Sequence, residues 1–323
     1  MMSLRVPYKV VDNVEVPTDI YLPAADDAAH KPAPVLIMIH GGAFMLGHAG
    51  INNKDQIQDC VERGWIVLAI EHRLCPGVNV LDGPMADVRD VFDWAQNGGL
   101  ARALKENGNH AVVDAQRIMV MGTSSGGHLA LSTAWNAPKP PLAILDFYGA
   151  KCFSDPFWTK PMPDMPKSFY EPLSEEDIKA VHDEKAVFIG GMSLEGQASD
   201  PNHPNPKQRQ GFAMHQIATG RVINAIWPAY PNDLQKIDPI LNVSKQWPPT
   251  AIVHGTADTT IPMRLSKEFE QKLKSQGVKT RFFEVEGEPH TFVGKMKKGS
   301  KTWDTQRKGF DWLEERLRES YKS

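Results

Sequence analysis

RIMVMGTSSGGHLALSTAW, residues 117–135, is the stretch from which the rest of the chain is read. It opens on a short apolar run, 118–121, and turns through Gly122-Thr123-Ser124-Ser125-Gly126-Gly127. It leaves with Leu131, Ala134 and Trp135 at helical spacing. Pro138 is the expected stop of that helix. Strand, tight turn and helix is the context in which a G-x-S-x-G turn lifts a serine above a strand end. Glycines two before and two after Ser124 remove Cβ atoms that would collide there, and Ser124 itself is expected in strained backbone. Its hydroxyl then projects at the positive end of the following helix. Composition alone yields such a pattern in roughly one chain in ten of this length. The remaining sequence must therefore supply a base, an acid and hydrogen-bond donors for an oxyanion, in a workable order.

Outward from the turn, continuous apolar runs recur at 35–39, 66–70, 118–121, 142–145, 250–253 and 280–285. Continuous rather than alternating runs fit strands buried on both faces of a parallel sheet. Helical stripes lie between them: Ile57, Cys60 and Val61; Val88, Val91, Phe92 and Ala95; Leu265, Phe269 and Leu273; and finally Phe310, Leu313 and Leu317. Residues 8–22 read as an antiparallel hairpin turning at Asp12-Asn13, and 24–34 as a surface loop. The fold class is α/β: a doubly wound, mostly parallel sheet. About a hundred residues, 151–249, interrupt the alternation, too many for a plain loop. They hold helical stretches near 174–181 and 208–217 and many aromatics. The domain reading is a core of 1–150 and 247–323 with a helical cap or lid inserted over 151–246, at the sheet edge where open α/β sheets bind ligands. The competing reading is a second small core away from substrate.

Three further strand ends carry chemistry. The first ends in His40-Gly41-Gly42-Ala43-Phe44, where two glycines leave backbone N–H groups uncrowded. The N–H groups of Gly42, Ala43 and Ser125 are the expected oxyanion donors. His40 is read as holding the loop. Gly42-x4-Gly47 has P-loop spacing, but His48 stands where lysine is required. The run at 250–253 ends in His254-Gly255-Thr256-Ala257-Asp258, which puts Asp258 at the functional edge unless it merely caps the helix starting near Pro262; Thr259 or Thr260 could take that cap instead. The last strand is followed by Glu286-Gly287-Glu288-Pro289-His290. That loop can bring His290 Nε2 to the Ser124 hydroxyl while Nδ1 faces Asp258. Of the eleven histidines the others read as structural or exposed: His128 on the helix after the turn, His254 packed under its strand end, His30, His110, His182 and His203 in loops or at the surface.

The segments HGGAF (40–44), GTSSGGHLA (122–130), HGTADTTIP (254–262) and GEPHTF (287–292) together resemble the α/β-hydrolase superfamily, on its carboxylesterase and hormone-sensitive-lipase-like side. The order Ser124, Asp258, His290 is that superfamily's order of nucleophile, acid and base. The resemblance covers roughly 34–150 and 247–320, and not the insertion. Ala43 replaces the last glycine of the family's usual H-G-G-G, and Thr123 and Ser125 occupy variable places of the elbow; neither change removes a backbone N–H. The resemblance implies a serine hydrolase that cleaves carboxylic esters through an acyl-enzyme, with no metal and no organic cofactor. The same residues would serve an acyltransferase, a thioester-releasing enzyme or a lyase or cyclase of natural-product metabolism, or a peptidase-like relative. A non-catalytic binder would be expected to have lost one of the three residues. Phe44, Trp158, Trp227 and Tyr230 are named from chemistry alone as pocket residues for a small-molecule acyl substrate.

The totals fit this reading. Apolar content of 41% and charged content of 23% are ordinary for a globular core, and a net charge of −3 gives no case for nucleic acid as a partner. The basic run 295–301 is short and reads as a solvated face. Three widely spaced cysteines fit neither a disulfide framework nor a zinc site. The first residues have no apolar leader and no apolar run approaches 18 residues, so a cytoplasmic protein without a membrane span is expected. The sequence leaves a homodimer open.

Overall fold

Asp12 and Asn13, with φ of 49° and 63°, supply the pair of left-handed residues that a two-residue hairpin turn needs. They join β1 (Ser3–Val11) to β2 (Val14–Tyr21), with Val11 paired to Val14. A computed structural model of the chain describes residues 3–24, 31–137, 139–188, 207–292 and 295–322. Pro138, His30 and His203, and most of the loop at 24–34, lie outside the described residues.

The other strands are β3 (Ala33–Ile39), β4 (Ile66–Ile70), β5 (Val113–Thr123), β6 (Ile144–Phe147), β7 (Thr250–Gly255) and β8 (Thr280–Val285). They form one eight-stranded sheet in the order β1-β2-β4-β3-β5-β6-β7-β8. β2 runs antiparallel to its neighbours, and every pairing from β4 to β8 is parallel. Every residue of β3, β4, β6 and β7 is buried, as their unbroken apolar runs require. β8 departs from that expectation. It is one of the sheet's two outer strands, so Arg281 and Glu284 reach water and only Val285 is buried.

Alternation along β3 divides the core. Val35, Ile37 and Ile39 join one apolar cluster, and Leu36 and Met38 the other. The first cluster is closed by α2 (Ala86–Gln96), through Val88, Val91, Phe92 and Ala95, and by α8 (Met263–Ser275), through Leu265, Phe269 and Leu273. The second is closed by α1 (Lys54–Glu62), through Ile57, Cys60 and Val61, and by α9 (Lys301–Ser320), through Phe310, Leu313 and Leu317. Covering each such side chain stabilises the fold by roughly 2 kcal/mol. Helices on both faces make the sheet doubly wound. α3 (Gly99–Glu106) adds Leu100 and Leu104, and α4 (Ser125–Leu131) follows β5 directly.

Between β6 and β7 lie α5 (Glu175–Asp183), α6 (Lys207–Ala218), α7 (Val222–Ile226) and several single 3₁₀ turns. Ser174 caps α5 by accepting from Asp177 N–H. Among the described residues the apolar side chains here do not form a second core. Phe153, Trp158, Phe212, Ile223 and Trp227 belong to the same cluster as β3 and α8. Arg209, fully buried, fastens α6 to the main body, with Nη1 donating to Cys75 O (2.6 Å) and Met45 O (3.2 Å) and Nε donating to Glu184 (2.9 Å). Asp238 draws the start of the insertion inward by accepting from Cys152 N–H (3.0 Å) and Phe153 N–H (2.5 Å), and burial pushes its carboxyl up to about 6. All three cysteines are buried and free. Among the described residues no helix is long and apolar enough to cross a membrane.

Candidate active site

The turn after β5 has the strain its sequence demands. Ser124 sits at φ 54°, ψ −121°, a region that non-glycine residues seldom occupy. A Cβ on Gly122 would lie 2.0 Å from Gly126 O, and one on Gly126 would lie 2.3 Å from Ile39 O and 2.4 Å from His40 O. Both glycines are therefore fixed by backbone contact, and Gly126 lets the turn press against the end of β3. The helix that follows is shorter than its apolar spacing indicates. α4 stops at Leu131, passes into a 3₁₀ turn at Ser132–Ala134, and Trp135 is extended.

His290 and Asp258 arrive from two loops held together by another close approach. A Cβ on Gly255 would meet Glu288 O at 2.2 Å, and Ala257 N–H donates to that same oxygen at 3.1 Å. The result is one hydrogen-bonded line. The Ser124 hydroxyl faces His290 Nε2 at 3.0 Å, and His290 Nδ1 faces Asp258 Oδ2 at 2.7 Å. A carboxylate only accepts, so Nδ1 carries the proton and Nε2 is left bare toward the serine. Asp258 Oδ1 accepts from Thr260 N–H and Ile261 N–H, both at 2.9 Å. Asp258 thus faces the imidazole with one oxygen and closes its own turn with the other. α8 begins at Met263 with Pro262 before it, so neither Thr259 nor Thr260 caps it. Burial would push the Asp258 carboxyl up, but hydrogen bonds from His254 and His290 hold it well below the usual carboxylate range. The Tyr148 ring packs edge-on against the His290 ring, centroids 4.8 Å apart.

The loop after β3 is bent through three left-handed residues, Gly42 (φ 129°), Ala43 (φ 53°) and Phe44 (φ 66°). Met45 and Leu46 N–H groups close it onto Gly42 O at 3.0 and 2.9 Å. His40 Nδ1–H donates to Gly41 O at 2.7 Å, and its ring stacks on His72 with centroids 4.4 Å apart. Burial, with His72 alongside, holds the His40 imidazole well below its ordinary value, so it stays neutral. His128 is likewise neutral, its value pushed down to about 3 by burial, with Nδ1–H on Ala150 O and its ring stacked on Phe153. Ser125 N–H belongs to the first turn of α4, where N–H groups have no acceptor within the helix.

Gly42, Ala43, Ser124, Ser125 and His290 share one cleft of about 420 Å³. Its far wall comes from the insertion, through Phe157, Trp158, Met162, Met165, Met214 and Ile217, with Lys160 as that wall's charged side chain. Phe44 and Trp158 lie on the lining. Trp227 and Tyr230 do not. Trp227 is buried in the main apolar cluster, its Nε1–H on Asn232 O at 2.9 Å, and Tyr230 packs against the same cluster. Aromatic character alone could not separate a lining ring from a packing one. Sequence reading also passed over Tyr148 and the three methionines, and read His254 only as packed under its strand end. Only His254 had a signal, its place four residues before Asp258.

A profile of the BD-FAE family matches residues 18–152 and 201–273. Among characterised proteins the chain is similar to the non-reducing polyketide synthase Preu6 of Preussia isomera, 32% identical over 326 residues that cover 95% of this chain and 14% of that protein. It is also similar to the non-reducing polyketide synthase prhL of Penicillium brasilianum, 30% identical over 330 residues that cover 89% of this chain and 13% of that one. The chain therefore spans about one seventh of the length of these relatives. Among known structures it resembles the thermophilic esterase Est2 of Thermogutta terrifontis in its native form, with a TM-score of 0.60, 20% identity, and 98% of this chain and 92% of that one covered. The same esterase phosphonylated by sarin superposes with a TM-score of 0.61 at 21% identity, covering 98% and 94%. At that identity the likeness establishes the fold, and the profile match over most of the sheet establishes the rest: the chain belongs to the BD-FAE family and has the α/β-hydrolase fold.

Proposed function

We propose that the protein is a serine hydrolase that cleaves carboxylic esters, with Ser124 as nucleophile, His290 as general base and acid, and Asp258 as the group that fixes the His290 tautomer. The observation that carries the reading is the unbroken line from the Ser124 hydroxyl through His290 to Asp258, at 3.0 and 2.7 Å. Ser124 Oγ attacks the ester carbonyl carbon as its proton passes to His290 Nε2, and Asp258 stabilises the imidazolium. The carbonyl oxygen becomes an oxyanion held by the N–H groups of Gly42, Ala43 and Ser125, each such donor lowering the barrier by about 3 kcal/mol. Collapse breaks the bond to the alcohol, which leaves with the proton from His290. Water then loses a proton to His290 and attacks the acyl-enzyme, and collapse breaks the bond to Ser124 Oγ, which takes the proton from His290 as the acid leaves. Nothing in this sequence of steps calls for a metal or an organic cofactor. The insertion acts as the cap of a small-molecule acyl site, and the apolar far wall suits an acyl group larger than acetyl.

The likeness to non-reducing polyketide synthases over most of the chain favours a second reading of the same site, in which the substrate is an acyl thioester and the acceptor is water, an alcohol or a carbon nucleophile. Ser124→Ala tests the first reading. It should lower turnover of p-nitrophenyl acetate by about 10⁴-fold or more while leaving the thermal midpoint nearly unchanged. Activity retained in that variant would reject the mechanism. Partition of the acyl-enzyme between water and added alcohols or thiols, with matched oxygen ester and thioester substrates, separates hydrolysis from transfer.

A further inference from the structure

Behind the Ser124–His290–Asp258 line, on the side away from the cleft, buried polar groups continue into the core. His254 in β7 is fully buried, with Nε2 3.1 Å from Asp258 Oδ2 and 2.9 Å from Ile261 O. Its Nδ1 lies 2.9 Å from Ser266 Oγ in α8. Ser266 Oγ is in turn 2.9 Å from Lys151 Nζ, which pairs with Asp146 at 2.7 Å. Ser266, Lys151 and Asp146 are all fully buried as well.

The protons of this chain follow by elimination. An ammonium only donates, so Ser266 Oγ accepts from Lys151 and its own hydrogen goes to His254 Nδ1. Nδ1 is then bare and the ring proton sits on Nε2. The two atoms facing Nε2, a carbonyl oxygen and a carboxylate oxygen, only accept, so they demand the same tautomer. His254 is thus the Nε2–H form and His290 the Nδ1–H form. Asp258 Oδ2 receives the Nδ1–H of His290 and lies 3.1 Å from His254 Nε2, whose one N–H is shared between Ile261 O and that oxygen, and Oδ1 receives the two backbone N–H groups.

We propose that His254 is a positioning residue for the nucleophile, acting through Asp258: its Nε2–H holds Oδ2 in line with His290 and takes up part of the carboxylate's charge, and so sets how firmly His290 holds a proton. The inference rests on the reading of Ser124, His290 and Asp258 as the reacting groups. An acceptor shared by two donors serves each less strongly than it would serve one. Removing the His254 donor leaves Oδ1 on its backbone contacts, frees Oδ2 on the side of the core and concentrates its charge on His290. Among the described residues His290 meets Ser124, Asp258 and the Tyr148 ring, and the Lys151 charge beyond His254 is matched by Asp146.

Two measurements test the proposal. The first is ¹⁵N NMR of the wild-type protein labelled in histidine, which should find His254 neutral and protonated at Nε2. The second is the pH profile of kcat/KM on p-nitrophenyl acetate for His254→Leu, which has no donor, and His254→Gln, which keeps an N–H near the Nε2 position. The acid limb should move up by about half a pH unit or more in the leucine variant, with kcat lower by about tenfold and KM little changed, and glutamine should restore both. An Nδ1–H or cationic His254, or an acid limb unmoved in a leucine variant whose circular dichroism is native, would overturn it. If the leucine variant fails to fold, His254→Ala takes its place in the same pH profile, with the same shift expected and the same unmoved limb overturning the proposal. Activity surviving in Ser124→Ala would bring down the catalytic reading itself. Serine-dependent activity with an unmoved limb would bring down only the role of His254.

Discussion

Replacing Asp258 by asparagine probes the line at the point where geometry dictates the outcome. Oδ1 accepts from Thr260 and Ile261 N–H, so an asparagine would keep its carbonyl there and turn its NH₂ toward His290 and His254. Both imidazoles now present N–H groups to that position, so donor would meet donor twice. The cheapest resolution at His290 is to move its proton to Nε2 and accept from the amide at Nδ1. In that tautomer Nε2 points an N–H at the Ser124 hydroxyl and cannot take its proton. The carboxylate's stabilisation of the imidazolium is lost as well. Together these effects are worth roughly 10⁴-fold in kcat, or about 5.5 kcal/mol of barrier. Steady-state kinetics on p-nitrophenyl acetate at pH 8 should find kcat reduced on that scale with KM little altered, and the rate of labelling by a fluorophosphonate should fall in parallel. Native circular dichroism would show that the loss is not unfolding. A folded Asp258→Asn enzyme within tenfold of the wild type would refute the reasoning, because no tautomer argument allows so small an effect.

Three further outcomes follow from contacts elsewhere in the fold. Gly126→Ala places a methyl 2.3 Å from Ile39 O and 2.4 Å from His40 O, both backbone, so the protein should lose about 2 kcal/mol or more, read as a lower thermal midpoint, with activity falling through displacement of the loop after β3. Glu71 carries a sign that is easy to mistake. Burial pushes its carboxyl up to about 7 against the pull of Arg5 and Ala49 N–H, so the fold holds that proton more tightly than the unfolded chain, whose ordinary value is 4.5. Its contribution is present below pH 4.5 and is lost as pH rises toward 7, and thermal midpoints across that range should fall less for Glu71→Gln than for the wild type, the difference reaching at most about 3 kcal/mol. Arg209→Met removes the buried donor to Cys75 O and Met45 O and leaves Glu184 without its arginine, so it should destabilise by about 3 kcal/mol in urea unfolding.

Much of this arrangement was legible in the chain because the decisive features are local. The glycines at 42, 122, 126 and 255 each answer a close backbone contact near a strand end. The strands β3, β4 and β7 announced themselves by unbroken apolar runs because both faces are covered. β8 did not conform, since its place at the sheet edge is a property of the whole topology. The far wall of the cleft was also out of reach. Whether an aromatic lines a cavity or packs behind it depends on contacts such as Trp227 to Asn232, which no periodicity encodes. Buried polar partners are harder still. Asp238 meets Cys152 and Phe153 across more than eighty residues of sequence, Arg209 meets Cys75 across more than a hundred, and Lys151 meets Ser266 across a similar span. Each is a charged or polar residue that composition alone assigns to the surface.

The nucleophile itself can be identified without any substrate. A fluorophosphonate probe incubated with the wild-type protein, followed by proteolysis and mass mapping, should place one label on Ser124, with labelling abolished in Ser124→Ala and slowed by orders of magnitude in His290→Ala. A label on another residue, or equal labelling of the wild type and Ser124→Ala, would contradict the account at its centre.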